Sequence, residues 1–215
     1  MSLRRASRRA PLRGLSLPTL ALLAAGCAAR PTLIDSDPAT GFAIYRTGQL
    51  GEGDLTALCR QGVEEILVLN GNAGGRECRS RSEQCPGLRV RYNARQSAHE
   101  PVSEEFLRAF DAWVEEARRS GRRIAFRCRH GWHRTGRLAA YYRIRYQGTT
   151  VDEAVEEMNR LGRFMWRHRQ LAPQVAAMAD FIQGRPCSVG SEHCLRRSSE
   201  AALAPGGSFP GDSCP

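Results

Sequence analysis

Short apolar runs alternate along this chain with longer segments whose apolar residues recur every three or four positions. The run Ile66–Leu69 is apolar throughout, as expected of a strand that is buried on both faces of a sheet. Residues 103–117 carry an amphipathic helical stripe that follows Ser103, with Glu104 and Glu105 in the first turn. This alternation predicts an α/β fold: a single compact domain in which helices flank a mainly parallel sheet of four to five strands.

The same pattern continues from residue 42 to residue 183. We expect strands at 42–46, 66–69, 88–92 and 124–126, and helices at 53–61, from 103, from about 135, from 150 and at 170–183. The chain has 215 residues, which suits one domain with tails. The predicted organisation is a signal peptide at 1–26, a lipidated Cys and tether at 27–41, a folded domain at 42–184 and a disordered tail at 185–215.

The first 26 residues are organised like an export signal. A basic stretch precedes an apolar segment from about Leu15 to Ala25, which is too short to span a membrane as a helix. The segment ends in Leu23-Ala24-Ala25-Gly26-Cys27, which resembles the lipobox of bacterial lipoproteins. The resemblance implies lipidation at Cys27 and a periplasmic domain anchored to a bacterial membrane, whereas a plain secretory signal would release the protein.

The net charge of +10 does not predict a nucleic-acid partner. All 32 basic residues are Arg, a bias that reflects base composition more than a binding surface. Five of them precede residue 27, where no acid occurs, so the rest of the chain carries only +5.

The eight cysteines suggest disulfides, because an exported protein meets an oxidising compartment. Cys78 and Cys85 are seven residues apart, as are Cys187 and Cys194, so we expect two local disulfides. Neither pair has metal-ligand spacing and no His pair has zinc spacing, so no metal or cofactor is predicted. An oxidised bridge between Cys128 and Cys59 is a further hypothesis.

The segment that begins at Cys128 carries the chemistry. Cys128 ends a predicted strand, Gly131 follows, and Arg134 begins a helix. A loop between a strand and a helix turns backbone N–H groups inward, and the helix N-terminus adds positive charge at the same point. The Arg134 guanidinium can bind two phosphate oxygens, and the same field stabilises the Cys128 thiolate as a nucleophile. The predicted phosphate-binding loop comprises Arg129, His130, Gly131, Trp132, His133 and Arg134.

Cys-x5-Arg followed by Thr135 resembles the signature of the protein tyrosine phosphatase superfamily. The fuller form, Cys-x-x-Gly-x-His-Arg-Thr-Gly, is similar to the small atypical dual-specificity phosphatases of plants and fungi, several of which act on inositol pyrophosphates. The segment Ile44–Gln49 is also similar, and the resemblance covers about residues 42–183. It implies the cysteine phosphatase fold, attack by Cys128 on phosphorus, a phosphocysteine intermediate and assistance by Thr135.

Two positions depart from that superfamily. Its general acid is usually an Asp about 30 residues before the Cys, but no Asp lies between Asp54 and Asp111. Glu100 is the favoured candidate, with His99 and His133 as alternatives.

The second departure is Arg127, which stands where the superfamily usually has His. Its charge either stabilises the thiolate or points away from it. The segment Trp166–Arg169 is interpreted as a helix junction.

The sequence therefore predicts a monomeric, cysteine-dependent phosphatase. Its substrates would be phosphotyrosine or phosphoserine proteins or, as the extra Arg and His residues suggest, inositol polyphosphates. One alternative is a phosphoryl-binding pseudophosphatase, favoured by Arg127 and the missing Asp. Another is a rhodanese-like sulfurtransferase, which also holds a Cys in an anion-binding loop.

Overall fold

A computed structural model describes residues 31–83, 85–197 and 202–214. The predicted signal peptide and the lipidation site Cys27 lie outside the described residues. The strands are β1 Thr32–Asp37, β2 Phe42–Thr47, β3 Val63–Val68, β4 Arg89–Asn93 and β5 Arg123–Arg127. The helices are α1 Glu52–Arg60, α2 Glu77–Glu83, α3 Glu104–Ser120, α4 Arg134–Gln147, α5 Val151–Leu161 and α6 Leu171–Ile182.

The five strands form one sheet in the order β1-β2-β5-β3-β4. β2, β5, β3 and β4 are parallel to their neighbours, and β1 pairs antiparallel with β2 at the edge. The predicted α/β class and mainly parallel sheet are therefore confirmed. Because parallel strands end at the same edge of a sheet, the loops that follow β3, β4 and β5 meet there, as in other open α/β sheets.

The two faces of the sheet are covered by different helices. On one face, Phe106, Phe110 and Trp113 of α3 pack with Leu138 of α4 against the strands. On the other face, α1 packs through Leu55 and Leu58 onto β3 and β4. Helices α5 and α6 lie outside the sheet and pack on α4. None of the helices in the described ranges is long and apolar enough to cross a membrane.

The prediction of a tether at 27–41 is wrong for residues 32–37, which form the edge strand β1. Thr32 pairs with Arg46 and Asp37 pairs with Phe42 across a short turn. Antiparallel pairing with β2 supplies the backbone hydrogen bonds that a tether would lack. The strand was not predicted from the sequence, because its outer face is exposed and gives the segment the polar side chains that a tether would also have.

The prediction of a disordered tail is wrong for residues 185–197 and 202–214. The Phe209 ring is only 5% exposed and packs edge-on against Tyr92, Phe106 and Trp113. The Pro210 carbonyl accepts a 2.7 Å hydrogen bond from Arg91. The tail is rich in Gly, Ser and Pro, yet one buried aromatic ring and a disulfide hold it to the domain.

Three disulfides join the described cysteines. Cys187 bonds to Cys194, but Cys78 bonds to Cys214 and Cys85 bonds to Cys59. The predicted bond between Cys78 and Cys85 is therefore wrong, because helix α2 intervenes and the two residues face different neighbours. Cys78 lies in the first turn of α2 beside the tail, and Cys85 is buried next to α1. The hypothesis of a bridge from Cys59 to Cys128 is also wrong, because Cys59 is bonded to Cys85 and Cys128 is a free thiol.

Candidate active site

The loop between β5 and α4 begins with Cys128 and ends where Arg134 starts the helix. Its Arg129 carbonyl accepts a 3.0 Å hydrogen bond from the Gln49 N–H, and its Gly131 carbonyl accepts a 2.8 Å bond from Arg46. In a trans peptide the N–H points opposite the carbonyl. The N–H groups of the same two peptides, those of His130 and Trp132, therefore point to the other side of the loop, where they can bind an anion.

Gly131 makes this turn possible, since its φ of 74° lies in the left-handed region that other residues rarely adopt.

Cys128 lies at the floor of this loop and is 2% exposed. It is the free cysteine of the described residues. Burial alone raises the pKa of its thiol, but hydrogen bonds from the Thr135 hydroxyl and N–H, the charge of Arg134 and the Gly131 N–H outweigh burial and lower the pKa below its ordinary value. The Thr135 hydroxyl is buried and has no other partner among the described residues. The site therefore favours the thiolate.

Arg134 is held with one edge of its guanidinium free. Its Nη1 donates to the carbonyls of Leu69 at 3.2 Å and Gln96 at 3.3 Å, which follow β3 and β4. Its Nε is buried and has no partner among the described residues. A guanidinium oriented on one side and unpaired on the other suits binding of an oxyanion in two bonds.

Two buried arginines outside the predicted loop add to the positive field. Arg46 of β2 is 5% exposed and Arg137 of α4 is 1% exposed. Burial lowers the pKa of Arg46, and burial together with Arg134 lowers the pKa of Arg137 to about 10, so Arg137 remains charged at neutral pH. Both interact favourably with a Cys128 thiolate. The role of Arg46 was not predicted from the sequence, although Arg46 lies in the segment Ile44–Gln49 that carries the family resemblance.

Arg137 also positions the loop that carries the candidate acids. Its guanidinium donates to the Glu100 carbonyl at 2.7 Å, to the Ser97 carbonyl at 3.2 Å and to the Gln174 side chain. All three acceptors are uncharged. The residues before α3 are thereby tied to α4 and α6.

Arg127 points away from the thiol. Its side chain is fully buried and forms a two-bond ion pair with Glu77 of α2, at 2.5 and 2.7 Å. Its remaining nitrogen donates to Asn70 and Asn72, at 2.6 and 2.9 Å. Glu77 compensates its charge, so Arg127 supports the loop after β3 and does not act on the sulfur.

A cavity of about 1040 Å³ opens beside the loop. Among the described residues that line this cavity, Glu100 is the single acidic one, and nine others are Arg or His. The basic members of the lining are Arg76, Arg95, Arg129, Arg134, Arg196, His99, His130, His133 and His168. The arrangement favours an anion. In the described part of the chain, no group of three or more His, Cys, Asp or Glu residues is placed to hold a metal ion.

All three candidate acids line this cavity. The Glu100 side chain is 67% exposed, and the nearest cation to it is Arg196 at 3.8 Å. The His99 Nδ1 lies 3.2 Å from the Gln170 amide nitrogen. The His133 Nε2 lies 3.0 Å from the Arg163 carbonyl, so this nitrogen carries the proton and donates it away from the cavity. Burial lowers the pKa of His133, which keeps the ring neutral at pH 7.

The structure adds a histidine that the sequence analysis treated as part of a helix junction. The His168 ring stacks between His133 and His99, with ring centres 3.8 and 5.2 Å apart. The connection between α5 and α6 brings His168 to the cavity. The three histidines lie more than 30 residues apart in the chain, so no local sequence pattern predicted that their rings would cluster.

Solved structures of tyrosine phosphatases resemble this chain. Tk-PTP in a glycine-to-alanine mutant form superposes with a TM-score of 0.54 at 18% identity, over 72% of this chain and 97% of that one. P. aeruginosa TpbA, a cysteine-to-serine form in complex with pTyr, superposes with a TM-score of 0.50 at 22% identity, over 72% and 96%. The catalytic core of a PP-IP phosphatase from S. cerevisiae gives a TM-score of 0.49 at 22% identity, over 67% and 82%.

No protein-family model matches the chain. The likenesses to Tk-PTP and TpbA show that the chain has the fold of the tyrosine phosphatases.

Proposed function

We propose that this protein is a cysteine-dependent phosphatase that hydrolyses phosphate monoesters or anhydrides through a phosphocysteine intermediate. The observation that carries the proposal is the placement of the Cys128 thiol, with its lowered pKa, beside the free edge of Arg134 in an anion-binding loop. A thiolate next to oriented N–H groups and a guanidinium is the arrangement that phosphoryl transfer needs.

The first step is attack of the Cys128 thiolate on phosphorus. The sulfur–phosphorus bond forms as the bond from phosphorus to the leaving oxygen breaks. Arg134 and the loop N–H groups bind the equatorial oxygens, whose charge spreads in the transition state. Arg46 and Arg137 add positive charge that stabilises the negative charge at the reacting centre.

The second step is hydrolysis of the phosphocysteine. Water attacks phosphorus and the sulfur leaves as a thiolate. The Thr135 hydroxyl stabilises this thiolate, since it is buried and its interaction with the Cys128 thiol lowers the pKa of that thiol.

We assign the proton donor for the leaving oxygen to Glu100. It is the acidic residue of the described cavity lining and its carboxyl group is exposed to the cavity. His133 is a poorer donor because its proton-bearing nitrogen faces the Arg163 carbonyl.

The cavity favours a substrate with several negative charges. Arg95 and Arg129 line the cavity, are exposed, and have no side-chain partner among the described residues. Two free guanidinium groups beyond the one that binds the reacting phosphate support a multiply phosphorylated small molecule, such as an inositol polyphosphate, over a phosphotyrosine or phosphoserine protein.

We further propose that the protein is exported and anchored through lipid on Cys27, as a monomer in the periplasm. The apolar segment and lipobox-like residues of the first 27 positions support this proposal.

The test compares p-nitrophenyl phosphate, phytate and a phosphotyrosine peptide as substrates for the full chain in the presence of EDTA. We expect Cys128→Ser to abolish hydrolysis of all three. We expect Arg95→Gln to lower kcat/KM for phytate about tenfold, the value of one lost charged hydrogen bond, and to leave p-nitrophenyl phosphate unchanged.

Arg60→Gln is the matched control, because Arg60 is an exposed arginine at the end of α1, on the opposite edge of the sheet. Hydrolysis that survives in Cys128→Ser would refute the mechanism. A clear preference for the peptide, with Arg95→Gln without effect on phytate, would refute the assigned substrate class.

A further inference from the structure

The connection between α5 and α6 carries an exposed surface that is both basic and aromatic. We name residues 160–169 the basic–aromatic patch. This segment contains four Arg and no acid, with Phe164 56% exposed and Trp166 64% exposed. Large apolar side chains with such exposure normally mark a contact surface.

The patch is ordered by contacts between its own charges and rings. The Arg167 guanidinium lies 4.6 Å from the Trp166 ring centre and 5.7 Å from that of Phe164. Phe164 has a φ of 57°, a left-handed conformation that bulky residues rarely adopt. Arginine thus lies over exposed aromatic rings, and the surface combines positive charge with apolar area.

The patch is joined to the active-site loop. The Trp132 ring of that loop contacts the Phe164 ring at 6.2 Å and lies under the Arg163 guanidinium at 5.6 Å. The Arg163 carbonyl accepts a hydrogen bond from the His133 ring. The patch therefore lies beside the cavity, at the edge of the sheet where the parallel strands end.

The described chain begins at this same edge. Thr32 pairs with Arg46 near the end of β2, and Arg46 bonds to the Gly131 carbonyl of the active-site loop. The five residues from Cys27 to Thr32 can span no more than about 18 Å. A lipid on Cys27 would thus keep the edge that bears the patch and the cavity close to a bilayer.

We propose that the basic–aromatic patch docks onto an anionic lipid surface, with Arg163 and Arg167 on headgroup phosphates and Phe164 and Trp166 in the interfacial layer. Aromatic rings favour that layer, and each Arg near it is attracted by anionic lipid. Docking in this way orients the cavity toward the membrane. The inference goes beyond the proposed function and requires neither catalysis nor lipidation.

The test measures co-sedimentation of the full chain carrying Cys27→Ser with lipid vesicles. The vesicles are phosphatidylcholine alone or equal parts phosphatidylcholine and phosphatidylglycerol. We expect binding to the anionic vesicles, a blue shift of tryptophan emission, and an affinity about tenfold lower for the double variant Trp166→Ser with Arg167→Gln. A far-UV circular dichroism spectrum and a urea unfolding midpoint equal to those of the parent report that this variant is folded.

The matched control is Arg60→Gln with Arg119→Gln, which removes two exposed arginines from the opposite edge of the sheet. We expect it to bind as the parent does. Equal weakening in both double variants, or no weakening in either, would overturn the proposal.

A patch variant that binds vesicles normally but has a raised KM for a phosphotyrosine peptide would assign the patch to protein substrates instead. A dimer that forms in the absence of vesicles and is lost in the patch variant would assign the patch to contact with a second copy of the chain. Each result overturns the proposal. Cys128→Ser is expected to bind vesicles like the parent, so failure of the catalytic proposal is separable from failure of docking.

Discussion

The Cys128 thiol is surrounded by the guanidinium groups of Arg46, Arg134 and Arg137, and only Arg134 belongs to the loop motif. One edge of the Arg134 guanidinium has no partner among the described residues. Arg46 and Arg137 are buried and donate hydrogen bonds to uncharged acceptors. Arg137 donates its hydrogen bonds only to uncharged groups, and burying a charge of this kind is costly. We interpret that cost as the price of a field strong enough to hold a buried thiolate.

At the residue scale, the lowered pKa of Cys128 makes a prediction about pH. A depressed pKa keeps the thiolate populated below the ordinary cysteine pKa of about 8.5, and activity is lost as the pH falls through the lowered value. We expect Thr135→Ala to raise that pKa, so the acidic limb of kcat/KM for p-nitrophenyl phosphate moves to higher pH.

Thr135→Ser keeps the hydroxyl, so we expect its acidic limb of kcat/KM to lie at the same pH as that of the parent. An acidic limb that does not move in Thr135→Ala would show that the hydroxyl does not stabilise the thiolate of the free enzyme.

At the scale of elements, the buried pair between Arg127 and Glu77 connects β5 to α2. The same arginine holds Asn70 and Asn72, which line the cavity after β3. Arg127, the residue before Cys128, thus connects a central strand, a flanking helix and the cavity wall.

We expect Glu77→Gln to lower the free energy of unfolding by about 3 to 5 kcal/mol, because it leaves a buried arginine without its charge partner. Urea denaturation measures the loss. The exposed pair of Arg108 and Glu104, at 3.3 Å, supplies the control: Glu104→Gln should cost less than about 1 kcal/mol.

Adding Arg127→Met to Glu77→Gln should recover part of the loss, since it removes the uncompensated charge. Equal losses in Glu77→Gln and Glu104→Gln would contradict the role given to the buried pair.

At the scale of the whole molecule, the tail closes the domain. The Cys78–Cys214 disulfide joins α2 to the end of the chain over a sequence separation of 136 residues. Phe209 fills a gap beside α3 and β4, and Asp212 pairs with Arg81 of α2. Residues with the composition of a linker therefore complete the core.

We expect Cys78→Ser with Cys214→Ser to lower the free energy of unfolding by about 5 kcal/mol, the loop-entropy value for a closure of this length. Removal of the seven-residue loop, by Cys187→Ser with Cys194→Ser, should cost only about 2 kcal/mol. Urea denaturation under non-reducing conditions measures both, and equal losses would show that the tail is held by its packing alone.

The sequence by itself determined the α/β class, four of the five strands, every α-helix of the described residues except α2, and the strand–loop–helix segment that runs from Cys128 to Arg134. Those features are local, because hydrophobic periodicity and a strand–loop–helix motif are written in neighbouring residues. The Cys187–Cys194 disulfide, predicted from the sequence, is confirmed. Only the tertiary structure decided the disulfides Cys59–Cys85 and Cys78–Cys214, the ordered tail, the buried ion pair of Arg127 and the position of His168 between His99 and His133. Each of these joins residues that are far apart in the chain, and their proximity depends on how sheet and helices pack, which no local pattern encodes.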